Sequence, residues 1–299
     1  MINLPKLLLK LEDESISIIR DSFSKSFNPV MMYSIGKDSS VLLHLMRKAF
    51  YPSSLPFSLL HIDTKWKFKQ MYFFKKKIIN KYKLKIITHT NFYAAKKKIS
   101  PFNNNNYTQI MKTDALKEAL NKYKFDIIYG GARRDEEPSR SKERVVSIRE
   151  ENHSWDPKNQ RAEVFQLYNY HKFNHQSFRI FPLSNWTEED IWNYIKFENI
   201  EIVDLYFSKL RPTVNRNGAV FMVDDKRFPI KKNEKVTFKN IRFRTLGCYP
   251  LTAATLSKAN TISQIILENK RLNYSERAGR LIDQDNNDSM EKKKRNGYF

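Results

Sequence analysis

The chain has 299 residues, 40% of them hydrophobic and 13% aromatic, which excludes a disordered protein and allows one large core. No apolar run reaches the roughly 18 residues that span a bilayer, so we expect no membrane segment and a cytoplasmic location. The formal net charge is +22, but the basic residues are spread over many segments, which does not favour nucleic acid as the main partner.

The first part of the chain alternates between amphipathic helices and short apolar strands. Residues 1–28 are predicted to form a packing helix, because apolar residues recur at helical spacing from Leu4 to Phe23. Five buried strands are predicted at residues 29–33, 57–62, 84–88, 125–129 and 178–181. Helices are predicted at residues 39–49, 67–81 and 110–123, with a further helix start at 187–190. This alternation predicts an α/β fold with a mainly parallel, doubly wound sheet.

The regular alternation ends after Asn199, and a smaller, less regular unit is predicted from about residue 205. The pair Asn217-Gly218 lies between apolar residues and predicts a hairpin turn. We therefore divide the chain into a packing helix over 1–28, an α/β domain over 29–204, and a smaller, irregular C-terminal region over 205–299. That region ends in a polar, basic tail that closes on two aromatic residues, Tyr298 and Phe299.

The stretch between the first strand and its helix, residues 34–40, is the main candidate for a ligand site. Parallel sheets bind ligands beyond the carboxyl ends of their strands, and helix N-termini favour anions. The candidate phosphate-binding residues of this loop are Ser34, Gly36, Lys37, Asp38, Ser39 and Ser40. The carboxylate of Asp38 repels phosphate unless a cation intervenes, which points to Mg²⁺ with a polyphosphate or to a helix cap. An ordinary turn and cap without a ligand is the alternative for the whole loop.

The loop differs from the common nucleotide motifs, because the chain has neither G-x-x-x-x-G-K-[ST] nor G-x-G-x-x-G. Residues Ser34-Ile-Gly-Lys-Asp-Ser39 instead resemble the S-x-G-x-D-S pyrophosphate loop of the ATP pyrophosphatase (PP-loop) superfamily. Many members have two adjacent glycines there, whereas this chain has Ile35. The resemblance implies an adenine nucleotide alpha hydrolase-like fold that binds ATP.

Six further blocks follow the loop in a set order along the chain. They are Leu60-His-Ile-Asp-Thr64, Gly130-Gly-Ala-Arg-Arg-Asp-Glu-Glu137, Trp155-Asp-Pro-Lys-Asn-Gln-Arg161, Phe181-Pro-Leu-Ser-Asn-Trp-Thr187, Arg242-Phe-Arg-Thr-Leu-Gly-Cys248 and Arg295-Asn-Gly-Tyr-Phe299. Together with the loop they resemble the small subunits of bacterial ATP sulfurylases over essentially the whole chain. A six-residue loop is a weak signal, whereas seven ordered blocks are a specific one.

The resemblance to this family implies the activation of sulfate. Sulfate would attack the α-phosphorus of ATP, giving adenosine 5′-phosphosulfate and pyrophosphate, with Mg²⁺ beside the phosphates. The larger subunit of the family is a GTPase, so GTP would act only through that partner in a heterodimer. This chain has no GTPase motif of its own.

The resemblance also implies roles for residues at the strand ends. The loop would hold the β- and γ-phosphates, with Lys37 neutralising the leaving pyrophosphate and Asp38 facing Mg²⁺. Asp63 would bind ribose or the metal, and its alternative is a cap for the following helix. Arg133 and Arg134 would bind sulfate or the α-phosphate through forked hydrogen bonds, and their alternative is an exposed, salt-bridged loop. Lys37, Arg133 and Arg134 are therefore the predicted catalytic residues.

Two further arginines, Arg242 and Arg244, alternate along a predicted strand. Both would then face one side and reach the nucleotide, and a stripe of surface charge is the alternative. A general base is not required, because sulfate is already deprotonated at neutral pH. The side chains that we expect to pack without reacting are those of His61, Cys248, Trp186 and Trp192.

Other functions stay open as alternatives. The reductase branch of the superfamily uses a reactive cysteine near its C-terminus, and no cysteine follows Cys248 here. Branches that thiolate tRNA usually carry a C-x-x-C pair, which a single cysteine excludes. Another tRNA-modifying member of the superfamily, or a basic RNA-binding protein with a decayed nucleotide loop, would use the positive charge directly.

Overall fold

The N-terminal segment forms an amphipathic helix that packs on the rest of the chain. The computed structural model describes residues 4–165, 167–272, 276, 295 and 297. Helix α1 (Lys6–Ser24) buries a face that includes Leu8 and Ile18, and this face contacts helix α2 (Lys37–Phe50). The helical spacing in the sequence therefore corresponds to a helix whose apolar side is buried.

The main sheet of the described chain has six strands and follows the predicted alternation. Its strands are β1 (Pro29–Met32), β2 (Ser58–Ile62), β3 (Ile86–His89), β4 (Ile127–Tyr129), β5 (Val146–Arg149) and β6 (Ser177–Ile180). They lie in the order β3-β2-β1-β4-β6-β5, and neighbouring strands are parallel except for the pair β5 and β6. The sequence analysis missed β5, which is a short antiparallel edge strand between charged segments.

Helices cover both faces of this sheet. Those that follow α2 are α3 (Lys69–Tyr82), α4 (Phe92–Lys96), α5 (Ala115–Tyr123), α6 (Pro138–Ser141) and α7 (Glu188–Phe197). Val30 and Ile128 point to the face that α5 covers, whereas Met31 and Tyr129 point to the face that α1 and α2 cover. Successive strand residues point to opposite faces, so both faces need apolar cover. The predicted doubly wound α/β fold is confirmed.

A smaller antiparallel sheet follows in the C-terminal region. Its strands are β7 (Lys209–Arg216), β8 (Ala219–Met222), β9 (Thr237–Arg242) and β10 (Thr255–Leu256), in the order β10-β9-β7-β8, and helix α8 (Ile262–Lys270) follows them. Asn217 and Gly218 have φ values of 49° and 78°, as the predicted hairpin turn between β7 and β8 requires.

Both sheets contribute to one hydrophobic core. Phe221 and Ile241 of the small sheet belong to the same buried cluster as Leu45 of α2 and Ile195 of α7. Packing is therefore continuous from the α/β part into the C-terminal region, and the division at residues 28 and 204 stays a prediction.

The predicted basic tail from residue 285 lies outside the described residues, except for Arg295 and Gly297. Its aromatic end, Tyr298 and Phe299, is therefore not assigned a position. Among the described helices, none combines the length and the apolar character that crossing a membrane demands. This agrees with the absence of a long apolar run in the sequence.

Candidate active site

The loop between β1 and α2 opens onto a cavity at the carboxyl end of the main sheet. Gly36 is the N-cap residue of α2, and the hydroxyls of Ser39 and Ser40 both donate to its carbonyl, at 2.9 and 3.0 Å. The hydroxyl of Ser34 donates to Ser39 Oγ at 3.2 Å. Ser34, Gly36, Asp38 and Ser39 line the cavity. The loop therefore presents the positive end of a helix dipole to any ligand in the cavity.

Tyr206 anchors the start of helix α2. The backbone N–H of Lys37 donates to the Tyr206 hydroxyl at 2.8 Å. Tyr206 is buried, packs edge-on against Trp192 and also lines the cavity. The sequence analysis missed it, because it lies in an irregular turn after α7 and belongs to no motif. The expected packing of Trp186 and Trp192 is confirmed, since both are buried.

Ile35 has a backbone conformation that β-branched residues rarely adopt. Its φ is 68°, in the left-handed region, and its side chain is fully buried. A Cβ in this region costs about 1–2 kcal/mol that glycine does not incur. This explains physically why glycine suits the position, and burial of the isoleucine side chain offsets the strain here.

Behind the loop, four charged side chains form a buried cluster, which we call the charge quartet: Lys37, Asp38, Arg133 and Glu276. Asp38 accepts from Lys37 Nζ at 3.1 Å and from Arg133 Nε at 2.9 Å. Glu276 accepts from the same two residues, from Lys37 through one oxygen and from Arg133 through the other. The side chains of Lys37, Arg133 and Glu276 are all at least 95% buried. Each cation therefore contacts both carboxylates.

The environment shifts the pKa values of the quartet in different directions: burial raises the pKa of Asp38 by more than Arg133 and Lys37 lower it. Burial by itself raises the pKa of Glu276, but the attraction of Lys37 and Arg133 outweighs it and the pKa lies below its ordinary value. Burial lowers the pKa of Lys37, and the two carboxylates reverse this, so the pKa is raised. Asp38 and Glu276 line the cavity, whereas Lys37 and Arg133 are not among its described lining residues and lie behind them.

Asp63 follows β2, but neighbouring groups occupy its carboxylate. One oxygen accepts from the backbone N–H of Lys65 and from the hydroxyl of Tyr72, both at 2.8 Å. The other oxygen accepts from Lys65 Nζ at 3.2 Å. Burial raises the pKa of Asp63, and these hydrogen bonds lower it further than burial raises it. The alternative of a cap for the following helix is wrong, because the N-cap of α3 is Phe68 and no side chain caps it. Asp63 instead closes a local turn through the backbone of Lys65, and its contact with ribose or a metal stays a prediction.

The adjacent arginines after β4 point in different directions. Arg133 enters the charge quartet, whereas Arg134 donates to Asn185 at 2.7 Å and to Glu163 at 3.0 Å. Arg134 is not among the described residues that line the cavity. The structure thus does not bring these two arginines together, and the sulfate role of Arg134 stays a prediction.

Arg242 and Arg244 both pair with carboxylates outside the cavity lining. Arg242, fully buried at the end of β9, donates to Glu268 at 2.8 Å and to Asn269 at 2.7 Å. Arg244 donates to Glu188 at 2.7 Å. Neither arginine is on the surface stripe that we considered, since both are engaged within the fold. Their contact with a nucleotide stays a prediction.

Apolar and cationic side chains complete the described lining of the cavity. Its apolar part includes Met32, Ile62 and Leu116, and its cationic part includes Lys67, Lys112 and Arg140. The sequence analysis did not select these three cations, because each lies in an irregular or short helical segment without a recognisable motif. Their proximity arises from the topology of the sheet, which gathers loops at one edge.

Gly131 allows the loop after β4 to approach residues 34–40, the predicted phosphate loop, closely. A Cβ at this position would lie 3.2–3.3 Å from backbone atoms of Asp38 and Ser39. Such contacts are tighter than ordinary van der Waals separations, so a larger residue would displace one of the two loops. Gly131 belongs to a quoted sequence block, although its role in packing was not predicted.

A metal ion would find few protein ligands in this cavity. In the described parts of the chain, no group of three or more His, Cys, Asp or Glu side chains is arranged to hold one. Asp38, the predicted Mg²⁺ residue, faces the cavity but already accepts from Lys37 and Arg133. Mg²⁺ bound here would take most of its ligands from phosphate oxygens and water, as it does in many nucleotide sites.

Known proteins resemble this chain along nearly its whole length. Residues 28–254 match the phosphoadenosine phosphosulfate reductase domain family. The chain is 58% identical to sulfate adenylyltransferase subunit 2 of Aliivibrio fischeri (strain MJ11), covering 98% of this chain and 97% of that protein. It is 56% identical to the protein of the same name from Geotalea uraniireducens (strain Rf4), covering 98% of both.

Solved structures of other proteins share this fold, as the following example shows. The crystal structure of Candida glabrata FMN adenylyltransferase aligns with a TM-score of 0.50 and 18% sequence identity. The alignment covers 94% of this chain and 91% of that chain. At this level of identity the likeness shows the fold alone.

Proposed function

Because the chain belongs to the sulfate adenylyltransferase subunit 2 family and carries the predicted phosphate loop over residues 34–40, we propose that it transfers the adenylyl group of ATP to sulfate. The products are adenosine 5′-phosphosulfate and pyrophosphate, and the reaction is the first step of sulfate assimilation and cysteine biosynthesis. The full-length identity to these relatives carries the proposal. The loop between β1 and α2, open to a cavity, supports it.

In this reaction an oxygen of sulfate attacks the α-phosphorus of ATP. The bond from the α-phosphorus to the oxygen that bridges to the β-phosphate breaks, and pyrophosphate leaves with the electron pair. Such a transfer depends on positioning and charge stabilisation more than on covalent chemistry. The loop over Ser34–Ser40 would hold the β- and γ-phosphates through its backbone N–H groups and hydroxyls.

The cavity offers complementary regions for the rest of the substrates. Met32, Ile62 and Leu116 form an apolar wall that suits a purine base. Lys67 and Arg140, which line the same cavity, would meet the incoming sulfate. These two cations join the arginines predicted from the sequence as candidates for sulfate contact.

Lys37 and Arg133 would act on the phosphates from behind the loop. Both remain charged and buried, and low local dielectric strengthens their field at the cavity. Asp38 would face Mg²⁺ directly or through water, with ATP phosphates as the main ligands. Bound Mg²⁺ would neutralise charge that develops on the leaving pyrophosphate.

A partner subunit supplies the remaining part of the reaction. The name subunit 2 of the relatives implies a complex with another subunit. The formation of a phosphosulfate anhydride is very unfavourable, so it needs a second reaction that drives it. We propose that the partner is a GTPase large subunit in a heterodimer, with GTP acting only through that subunit. We place the complex in the cytoplasm, where ATP and GTP are available.

The assay for this proposal uses the chain co-purified with its large subunit. Pyrophosphate release from ATP is measured with and without sulfate, in the presence of Mg²⁺ and GTP. We expect pyrophosphate release only when sulfate is added, because sulfate, and not water, is the acceptor of the adenylyl group. Release that is independent of sulfate, or no release with an active GTPase present, would contradict the proposed function.

A further inference from the structure

Glu276 joins the phosphate site from a distant part of the sequence. It lies 239 residues after Lys37, and its two carboxylate oxygens accept from Lys37 and from Arg133 separately. The residue is 7% exposed and lines the cavity together with Gly36 and Ser39 of the phosphate loop. A carboxylate therefore stands where a polyphosphate would also place its oxygens.

With all four groups ionised, the charges of the quartet cancel. Lys37 and Arg133 contribute two positive charges, and Asp38 and Glu276 contribute two negative charges. Without Glu276 the remaining three groups would carry one net positive charge directly behind the phosphate loop. In a buried setting an unbalanced charge acts strongly on a nearby polyanion.

We propose that Glu276 is a positioning residue that neutralises Lys37 and Arg133 and thereby weakens the hold of the phosphate loop on pyrophosphate. The inference rests on the proposed function, in which pyrophosphate is the leaving product. A loop that combined a helix N-terminus with two unbalanced cations would retain that product. The carboxylate of Glu276 competes with phosphate oxygens for the same cations. Pyrophosphate is therefore released faster than it would be without this carboxylate.

The test is the binding of inorganic pyrophosphate to the full chain in complex with its large subunit. Glu276→Gln keeps the size and one hydrogen-bond acceptor but removes the charge. We expect the Kd for pyrophosphate to fall about fivefold or more, both with Mg²⁺ and with a chelator. In steady-state assays the KM for ATP and kcat are both expected to fall, because product release becomes slower.

Glu12→Gln is the matched control variant. Glu12 is also a buried glutamate, bound by Lys48 Nζ at 2.7 Å and by the Tyr194 hydroxyl, but it does not line the cavity. We expect loss of thermal stability in this variant with no change in the Kd for pyrophosphate. The double variant Lys37→Gln with Glu276→Gln removes one charge of each sign and should return the Kd to within about twofold of the original.

Several outcomes would overturn the inference. An unchanged Kd in folded Glu276→Gln would leave the residue with a structural role only. Weaker binding that appears only with Mg²⁺ would make Glu276 a metal ligand. If Glu276→Gln does not fold, a double variant whose Kd differs more than tenfold from the original would contradict charge balance. The binding test measures pyrophosphate alone and contains no sulfate. If Glu276→Gln binds pyrophosphate more tightly but the original protein has no sulfate-dependent activity, only the proposed function is rejected.

Discussion

At the residue scale, the phosphate loop depends on side chains whose backbone or burial is unusual. Ile35 occupies a left-handed conformation while fully buried, and His61 is buried with its Nδ1 at 2.8 Å from the carbonyl oxygen of Tyr33. Neither property follows from residue type, because isoleucine avoids positive φ and histidine is most often partly exposed. Both features are accessible to simple stability measurements.

Ile35 provides a comparison between alanine and glycine. At ordinary positions glycine destabilises a fold relative to alanine, because the unfolded chain has more freedom. At a φ of 68° this order should reverse, since alanine keeps the strained Cβ. We expect Ile35→Gly to be more stable than Ile35→Ala by about 1 kcal/mol in urea unfolding. If alanine is the more stable of the two, the left-handed conformation is not present.

His61 makes the stability of the fold depend on pH. Burial, with Lys67 and Lys75 nearby, lowers the pKa of His61 to about 3. The unfolded chain takes up a proton near pH 6.5, whereas the folded chain does not until about pH 3, so stability is lost as the pH falls through this window. The loss contributed by His61 is about 1.4 kcal/mol per pH unit.

The comparison that tests this dependence uses His61→Asn, whose amide can still donate to the Tyr33 carbonyl. Urea unfolding is measured for both proteins at several values between pH 6.5 and the onset of acid unfolding. We expect the free energy of unfolding to decline less steeply in the variant as the pH falls. Equal slopes in the two proteins would show that His61 is protonated in the folded state.

At the element scale, the site depends on how closely two loops pack. The turn after β4 lies against the start of α2, and a Cβ at Gly131 would lie 3.2–3.3 Å from the backbone of Asp38 and Ser39. The order of the strands brings β1 and β4 side by side, although Val30 and its paired residue Ile128 are 98 positions apart in the sequence. The function of the loop is therefore a property of two elements together.

Gly131→Ala is expected to weaken ATP binding at least threefold, because the added methyl group pushes against the backbone of Asp38 and Ser39. The dissociation constant for ATP is measured by calorimetry, with thermal stability recorded alongside. Gly218→Ala, at the hairpin turn with a φ of 78°, is the control: it should lower stability but leave ATP binding unchanged. Unaltered ATP binding in Gly131→Ala would mean that the loops can separate without consequence.

At the scale of the whole molecule, the question is what the net charge of +22 does. In the part of the chain that the structure describes, many basic residues are paired within the fold, including the fully buried Arg133 and Arg242. Along the sequence the basic residues are spread over many segments. We expect a charge spread in this way to raise general attraction for polyanions without building a specific nucleic-acid site.

A filter-binding experiment separates this background attraction from specific binding. We expect RNA retention to disappear between about 50 and 200 mM salt, because counterion release dominates such contacts. ATP binding should change by only a few-fold over the same range, since buried charges are screened weakly. RNA that stays bound at the higher salt concentration would favour the RNA-binding alternative.

The sequence by itself determined the alternation of strands and helices, the loop over residues 34–40 between β1 and α2, and the hairpin at Asn217-Gly218. Each of these depends on spacing between neighbours in the chain, which periodicity and turn chemistry report directly. The four-residue edge strand β5 was not predicted, because so short a segment carries little periodic signal. Recognition of the family depended on ordered motifs along the chain and not on any one of them.

Only the tertiary structure decided which charged groups meet. It placed Glu276 against Lys37 across 239 residues, and it turned Arg134 towards Asn185 and Glu163 while Arg133 entered the site. Ion pairing depends on where the closed chain brings side chains in space, and no local pattern encodes that distance. The sequence thus identified the loop that we propose to hold phosphate, whereas the fold decided which charged side chains lie behind it.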